Sequence, residues 1–475
     1  MQNPFDKKKA NIIVLIPYVW GVRNILHSGL YDLLLTKYNV FLAIPPIGVS
    51  DIINMGIPKD HIISIVIPKT SRLIRFLFLA LKKAHRQEKF TNSDFIFSKW
   101  YKKDSIEKLS IGKILVYILS FLFSWKSFFS FGEKLLHKLY VNQLQKEKKV
   151  EIIKINPIAV LSTNFVSNWE WPILFFLQDL GITTATHILS FDNLTSRGYL
   201  PLRGFTQYYS WQNNMSNELI KFHQINPKNI IITGTPQFDF HVSTSFVWDK
   251  HKTAQILKLD PKKPYIVYCS NHYKHTPGEA KLILFLIKKL REIDRFSDIQ
   301  WVIRLHPLDR FSRWENIFKT ETGIRISHPW MRDDSNSFWA IPSKDEIALL
   351  GNTLRYAQVV INMASTITLD SCVVDTPVIC VGFHPDKGSE EDKYYHDVHF
   401  SHHYEPIISS GAVSFSTNIQ EFINAVIASF DFPDEKQAQR KKLVESICGV
   451  VDGCSAKRIE ESFSELLKRQ FSTLN

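Results

Sequence analysis

The sequence predicts two doubly wound parallel α/β sheets, one in each half of a 475-residue chain. Short apolar, β-branched runs recur with little polar alternation, the pattern of strands covered on both faces. Amphipathic helical stretches separate most of these runs, and strand–helix alternation builds a parallel sheet. The alternation then pauses twice, over residues 71–150 and over a polar Lys- and His-rich stretch from Asp239 to Pro264. A chain of this length also exceeds the roughly 250–300 residues that one core holds.

The first strand is "NIIVLIP", Asn11 to Pro17. It follows a basic start, but the apolar run is short and no small-residue cleavage site comes after it, so export by a signal peptide is not expected. A helix over Asn24 to Tyr38 and the strands "NVFLAIPP" and "HIISIVIP" follow. Beyond residue 150 come the strand "IAVLSTNF", the helix "WEWPILFFLQDLG" closed by Gly181, and "ITTATHILS", which runs into the polar loop "SFDNLTSRG". "TQYYSWQ", the helix "NMSNELIKFHQ" and "IIITGTPQFD" complete an N-terminal domain over 1–245, with Gly234 taking a structural role where the chain turns out.

The second series runs through "PYIVYCSN", the helix "GEAKLILFLIKKLREI", "IQWVIRLHP" and "IRISHP". It continues with the helix "KDEIALLGNTLRYA", the strand "VVINM", a helix opening at Ser365 and the strand "PVICVGF", a C-terminal domain over 260–440. Helices within 441–475 are expected to pack back toward the N-terminal domain, and the two domains to face a cleft.

The formal charge of +12 is concentrated, since residues 71–150 hold 17 Lys and Arg against 6 Asp and Glu. The segment has no proline and fifteen aromatics, among them Phe121, Phe123, Trp125, Phe128, Phe129 and Phe131. A nucleic-acid surface would mix its cations with polar groups, so nucleic acid is not the expected partner. Within the segment, residues 114–131, "ILVYILSFLFSWKSFFSF", approach the roughly 20 apolar residues of a membrane span. Lys126 and four serines interrupt the run, and Lys113, Lys134 and Lys138 flank it, which favours a helical insertion lying on an anionic membrane surface. The rival is an insertion that buries its aromatics against the protein. Five cysteines without a CxxC pair suggest neither a disulfide framework nor a zinc site, and fit a reducing cytosol. The expected location is therefore cytoplasmic, peripheral at the inner face of the membrane.

Ligands of open α/β sheets sit at the carboxyl ends of the strands. At such an end, "RLHP" offers Arg304 as a fixed cation and His306 as a titratable imidazole, a pair suited to a diphosphate. A surface ion pair for Arg304 is the alternative. Ser365 and Thr366 open a helix, where an anion is favoured, or where a plain N-cap contributes about 1 kcal/mol. Asp370 reads as a partner for ribose or sugar hydroxyls, or as a solvated carboxylate. "SNHYKH" brings His272, Lys274 and His275 to another strand end, for donor phosphates or the leaving group. Asp192, in the polar loop, is the candidate general base, or the head of an Asx-turn; His187 and Glu170 are its reserves. His306 stands with Asp192 among the catalytic candidates. No DxD flanked by apolar residues occurs, so no metal site is expected.

"RLHP", followed some fifty residues later by "NMASTITLDSCVVDTPVICVGF", resembles the C-terminal half of GT-B glycosyltransferases and their CDP-glycerol glycerophosphotransferase and capsule or surface-polysaccharide relatives. The resemblance is best over 230–385, weaker over the first sheet and absent over 71–150. It implies a GT-B fold of two Rossmann-like domains, with Arg304, His306, Ser365 and Thr366 as donor-nucleotide contacts and Asp370 where relatives carry a helix carboxylate. The acidic-acidic-glycine motif of bacterial sialyl- and polysialyltransferases is missing, so a CMP-sialic acid donor is not implied. The implied activity is metal-independent transfer of a sugar from a nucleotide-activated donor to a lipid-linked or polysaccharide acceptor in bacterial surface-glycan (capsule or lipopolysaccharide) synthesis, with no permanently bound cofactor. CDP-polyol phosphotransfer is the alternative; sugar-nucleotide epimerisation and nucleic-acid binding stand behind both.

Overall fold

A computed structural model describes residues 9–89, 91–93, 96, 111–307, 309–327 and 339–472. The rest of the expected insertion, 90, 94–95 and 97–110, and the end of "IRISHP" lie outside the described residues. The chain forms two compact units, the first from the residues up to 93, from 111 through Pro236 and from Cys454 onward, the second chiefly from Gln237 through Gly453.

Among the described residues, the first unit holds seven strands: β1 (Asn11–Leu15), β2 (Asn39–Ile44), β3 (Ile62–Ser64), β4 (Ala159–Ser162), β5 (Thr183–His187), β6 (Gln207–Ser210) and β7 (Ile230–Ile232). Every pair is parallel, in the order β3-β2-β1-β4-β5-β6-β7. Ile12 to Leu15 are fully buried, as a central strand clad by helices on both faces must be. The order reverses between β1 and β4, so the crossovers to either side of that pair lie on opposite faces and their loops part there.

Among the described residues, the basic aromatic segment includes the helices α1 (Arg72–Glu88), α2 (Ile111–Leu122) and α3 (Lys126–Val141). One side of this group is seated on the unit: the rings of Tyr140 and Phe78 meet Trp171 at 5.1 and 5.4 Å, and Phe129 meets Tyr199 edge-on at 5.6 Å. Gly132 lets α3 approach closely, since a Cβ there would stand 3.0 Å from both Leu81 and Phe123. Among the described residues, no helix is long and apolar enough to cross a membrane. Further along, α4 (Asn213–His223) lies between β6 and β7. The last helix, Ser455–Ser472, returns to this unit, where Lys37 pairs with Glu460 at 2.7 Å and the Tyr38 hydroxyl bonds Ser464 at 2.9 Å.

Among the described residues, the second unit repeats the plan with six parallel strands: β8 (Tyr265–Cys269), β9 (Gln300–Arg304), β10 (Ile324–Ser327), β11 (Val359–Asn362), β12 (Val378–Val381) and β13 (Ser414–Ser416). Their order is β10-β9-β8-β11-β12-β13, so the reversal falls between β8 and β11. Alternate residues of β9 enter opposite cores: Trp301 and Ile303 pack with Leu286, Phe296 and Trp314, while Val302 packs with Val267, Leu354 and Val360. β11 leads into the short helix α5 (Ile367–Val373).

Candidate functional site

The carboxyl ends of β8 and β11 are joined by a side chain, with the Asn271 amide donating to the Met363 carbonyl at 2.8 Å. Ser270 ties in the end of β9, accepting from the His306 N–H at 2.9 Å and donating to Asp309 at 2.7 Å. Beneath this loop lies Glu279, fully buried, whose carboxylate accepts from the Asn271 N–H, the Tyr268 and Thr276 hydroxyls and Arg313. Burial pushes its carboxyl up to about 7, against the pull of Arg313. Arg313 also reaches Asp309 at 3.2 Å. The loops after β8 and β9 are therefore held from below by one polar network at the reversal point of the sheet.

Above that network, the ring of His272 stacks on Tyr273 at 4.8 Å and lies 4.9 Å from His275 and 6.0 Å from His306. The Arg310 guanidinium covers Tyr273 at 4.1 Å and donates to its hydroxyl at 3.0 Å. Burial holds His306 down to about 3, helped by His272 and His275; His272 is lowered by burial and then by Lys274. His306 is therefore neutral at pH 7 in the free protein. Arg304, the last residue of β9, is buried, donates to Ser327 at 2.8 Å and, although burial lowers it to about 10, stays cationic. The strand conformation that would align it with His306 ends at Arg304.

Ser365 and Thr366 occupy the turn between β11 and α5. Ala364 adopts a left-handed φ of 38°, and its N–H donates to His399 Nε2 at 3.2 Å. His399 is buried and neutral, donating from Nδ1 to the Tyr395 carbonyl at 2.6 Å. The Ser365 N–H goes to Asn362 at 3.2 Å, the helix starts at Ile367 rather than Ser365, and neither hydroxyl caps it. Asp370 corrects the expectation of a solvated carboxylate. It is buried and bonded to His241 Nε2 at 2.7 Å, as a buried carboxylate requires a partner.

In the first unit, Asp192 follows β5 and is half-buried. Its carboxylate accepts from Ser190 at 2.5 Å and Ser196 at 2.6 Å, which orients it toward side-chain hydroxyls rather than into an Asx-turn. Glu218 of α4 lies within its field and is pushed up to about 8 by burial, with the Asp192 charge second. Glu170 is fully buried after β4, taking the Ser162 hydroxyl at 2.5 Å and the Asn164 N–H at 2.9 Å, and burial raises it to about 8. His187 ends β5 buried, lowered to about 4 by burial, and its Nε2 has no partner among the described residues. Among the described residues, no group of three or more His, Cys, Asp or Glu side chains is placed to hold a metal ion.

The chain matches no protein-family profile and no curated protein sequence. Its architecture is similar to that of the UDP-GlcNAc 2-epimerase from Neisseria meningitidis bound to UDP-GlcNAc, with a TM-score of 0.54 and 11% identity over 96% of this chain and 100% of that one. The UDP-N-acetylglucosamine 2-epimerase from Rickettsia bellii gives 0.51 and 10% over 98% of each chain. S. aureus MnaA, solved with UDP, gives 0.51 and 9% over 95% of this chain and 94% of that one. The fold is GT-B.

In this GT-B chain the structure brings together His272, His275 and His306, places Arg304 at the end of β9 with Ser327, and leaves Ser365 and Thr366 at the end of β11. It pairs Asp370 with His241. Sequence reasoning missed Asn271, Glu279, Asp309, Arg310, His399 and Glu218. The T-x-x-E spacing of Thr276 and Glu279 was a readable local signal; the others carry none that separates them from ordinary loop and helix residues.

Proposed function

We propose that this GT-B protein is a nucleotide-sugar-dependent glycosyltransferase whose donor phosphates sit at the carboxyl ends of β8, β9 and β11. The reading rests on one observation, the cluster of His272, His275 and His306 at the reversal point where the side chain of Asn271 bridges β8 and β11, with Arg304 ending the adjacent strand β9. Open α/β sheets bind ligands at that point. Arg304 supplies fixed positive charge, the imidazole N–H groups supply directed donors, and the hydroxyls of Ser365 and Thr366 complete the set. Asp192 takes the proton of the acceptor hydroxyl as its oxygen attacks the sugar's anomeric carbon and the bond to the nucleotide phosphate breaks; Glu218 tunes Asp192 from beside it. The acceptor is a lipid-linked or surface glycan, met at the cytoplasmic side of the membrane, and the exposed aromatic helices of the first unit support that choice.

A second reading, epimerisation of the donor sugar, is favoured by the similarity to the UDP-GlcNAc 2-epimerases. Incubating the protein with a panel of nucleotide sugars and CDP-glycerol, with and without membrane glycolipid extract, separates the readings. Transfer gives acceptor-dependent nucleotide release and a labelled lipid or glycan. An altered sugar on intact nucleotide without acceptor, seen by NMR, establishes epimerisation, and consumption of CDP-glycerol alone establishes polyol phosphotransfer. Failure of every nucleotide to bind overturns the site itself.

A further inference from the structure

The helices α2 and α3 carry an apolar line on the side turned away from the protein. Ile114, Ile118 and Phe121 on α2, and Phe128, Phe131 and Leu135 on α3, are spaced by three and four, which keeps each set on one helical face, and Trp125 lies in the turn between the two helices. All are exposed, Phe121 by 66%, Phe131 by 62% and Trp125 by 56%. Their rings touch along the line, Phe121 to Trp125 at 6.2 Å and Trp125 to Phe128 at 5.8 Å. The opposite face is committed: Phe123, Gly132, Leu136 and Tyr140 are buried. The hairpin is thus seated firmly by one side and offers the other.

The charge along the hairpin decides what covers it. Lys126, Lys134 and Lys138 are exposed on α3, and the Lys83 ammonium stands over the Tyr117 ring. The single acid of residues 111–141, Glu133, is bonded to Tyr199 and paired with Arg203 at 2.8 Å, so it does not offset them. Large aromatics beside lysines whose stems follow apolar surface suit the boundary between acyl chains and anionic head groups. A second copy is disfavoured, because face-to-face hairpins would bring like charges together. No helix among the described residues is long and apolar enough to span, which favours an interfacial contact.

We propose that the α2–α3 hairpin docks the protein on an anionic lipid surface, Phe121, Trp125, Phe128 and Phe131 entering the acyl boundary and the α3 lysines meeting the head groups. The inference concerns a surface of the first unit and does not depend on the nucleotide site.

Flotation of the full chain with phosphatidylcholine vesicles, with and without phosphatidylglycerol, tests it. Binding is expected only with phosphatidylglycerol and is expected to weaken as salt screens the lysines. The triple variant Phe121→Ser, Trp125→Ser, Phe128→Ser should lose at least about tenfold in affinity while melting like the wild type, since all three side chains are exposed. A second variant, Lys126→Glu, Lys134→Glu, Lys138→Glu, keeps the apolar line and should lose the preference for anionic lipid. Wild-type protein remaining in solution with phosphatidylglycerol vesicles at low salt overturns the proposal. So does a dimer in sedimentation equilibrium that the triple variant abolishes and vesicles do not dissociate. Nucleotide binding measured on the same samples keeps the two readings apart: flotation without nucleotide binding sustains lipid docking alone.

Discussion

The side chain of Asn271 closes the gap between β8 and β11 through its 2.8 Å bond to the Met363 carbonyl. Two loops that parallel topology would splay apart are thereby held in one arrangement. The histidine loop and the Ser365 turn start from these two strand ends, so the bond links the parts of the proposed donor site. Replacing Asn271 by Leu should cost about 1 kcal/mol in stability for the lost bond. The same change should weaken nucleotide binding by more than it weakens the fold, measured by calorimetry beside a urea melt. Equal small effects on both would make Asn271 a simple loop tie.

His306 is neutral in the free protein, held down to about 3 chiefly by burial. A phosphate beside it favours the charged imidazolium and must raise that value. Nucleotide affinity should therefore increase as pH falls, with proton uptake on binding detectable by calorimetry in buffers of different ionisation enthalpy. His306→Ala should remove the uptake and cost roughly 1.5 to 3 kcal/mol of binding. Uptake that survives in His306→Ala would move the proton to His272 or His275.

The pairing of Asp370 with His241 gives a protein partner to a residue that the sequence offered to the ligand. Breaking a buried pair by deleting one partner leaves the other charge or dipole unsatisfied, at about 3 to 5 kcal/mol. His241→Ala should accordingly lower the urea midpoint strongly, while nucleotide affinity of the surviving folded fraction stays near wild type. A loss of affinity without a loss of stability would return Asp370 to the site.

What the sequence made legible follows from how local each signal is. Strand runs such as Ile12–Leu15 and the end of β9 at Arg304 announce themselves through composition, and both sheets were readable from alternation. The shared order, which puts the reversals at β1/β4 and β8/β11, depends on non-local pairing that no short stretch encodes. His241 lies 129 residues from Asp370, inside a polar stretch that reads as a linker, so neither residue reveals the other. The aromatic helices show a different limit: composition alone gave both burial and surface display, and the fold uses Phe123 for one and Phe121 for the other.

Asp192 and Glu218 form the catalytic expectation. Asp192→Asn should bind donor normally and turn over about 10²- to 10⁴-fold more slowly, the usual cost of losing a general base. Glu218 sits at about 8 through burial and the nearby Asp192 charge, so it is largely protonated at pH 7. Glu218→Gln should leave turnover near pH 7 close to wild type and remove an inflection of the rate on the alkaline side. Near-normal turnover in Asp192→Asn would send the search to His187 or Glu170.

Glu170 allows a stability test that needs no substrate. Burial raises its carboxyl from the usual range near 4.5 to about 8 in the folded chain, despite the donors from Ser162, Thr163 and Asn164. A raised acid favours the fold while both states are protonated, below about 4.5, and that contribution is lost as pH rises through about 8. Within this window the unfolded chain has released a proton that the folded chain keeps. Glu170→Gln cannot titrate, and the cost of fitting its amide among the same donors is independent of pH. The unfolding free energy of wild type relative to Glu170→Gln should therefore fall as pH rises across the window, by about 1.4 kcal/mol per pH unit at the steepest. Urea melts at intervals from pH 5 to pH 8 would read this slope. Parallel profiles would mean that Glu170 is ionised in the folded protein, held so by its hydrogen bonds, and would make it a fixed anion at the end of β4.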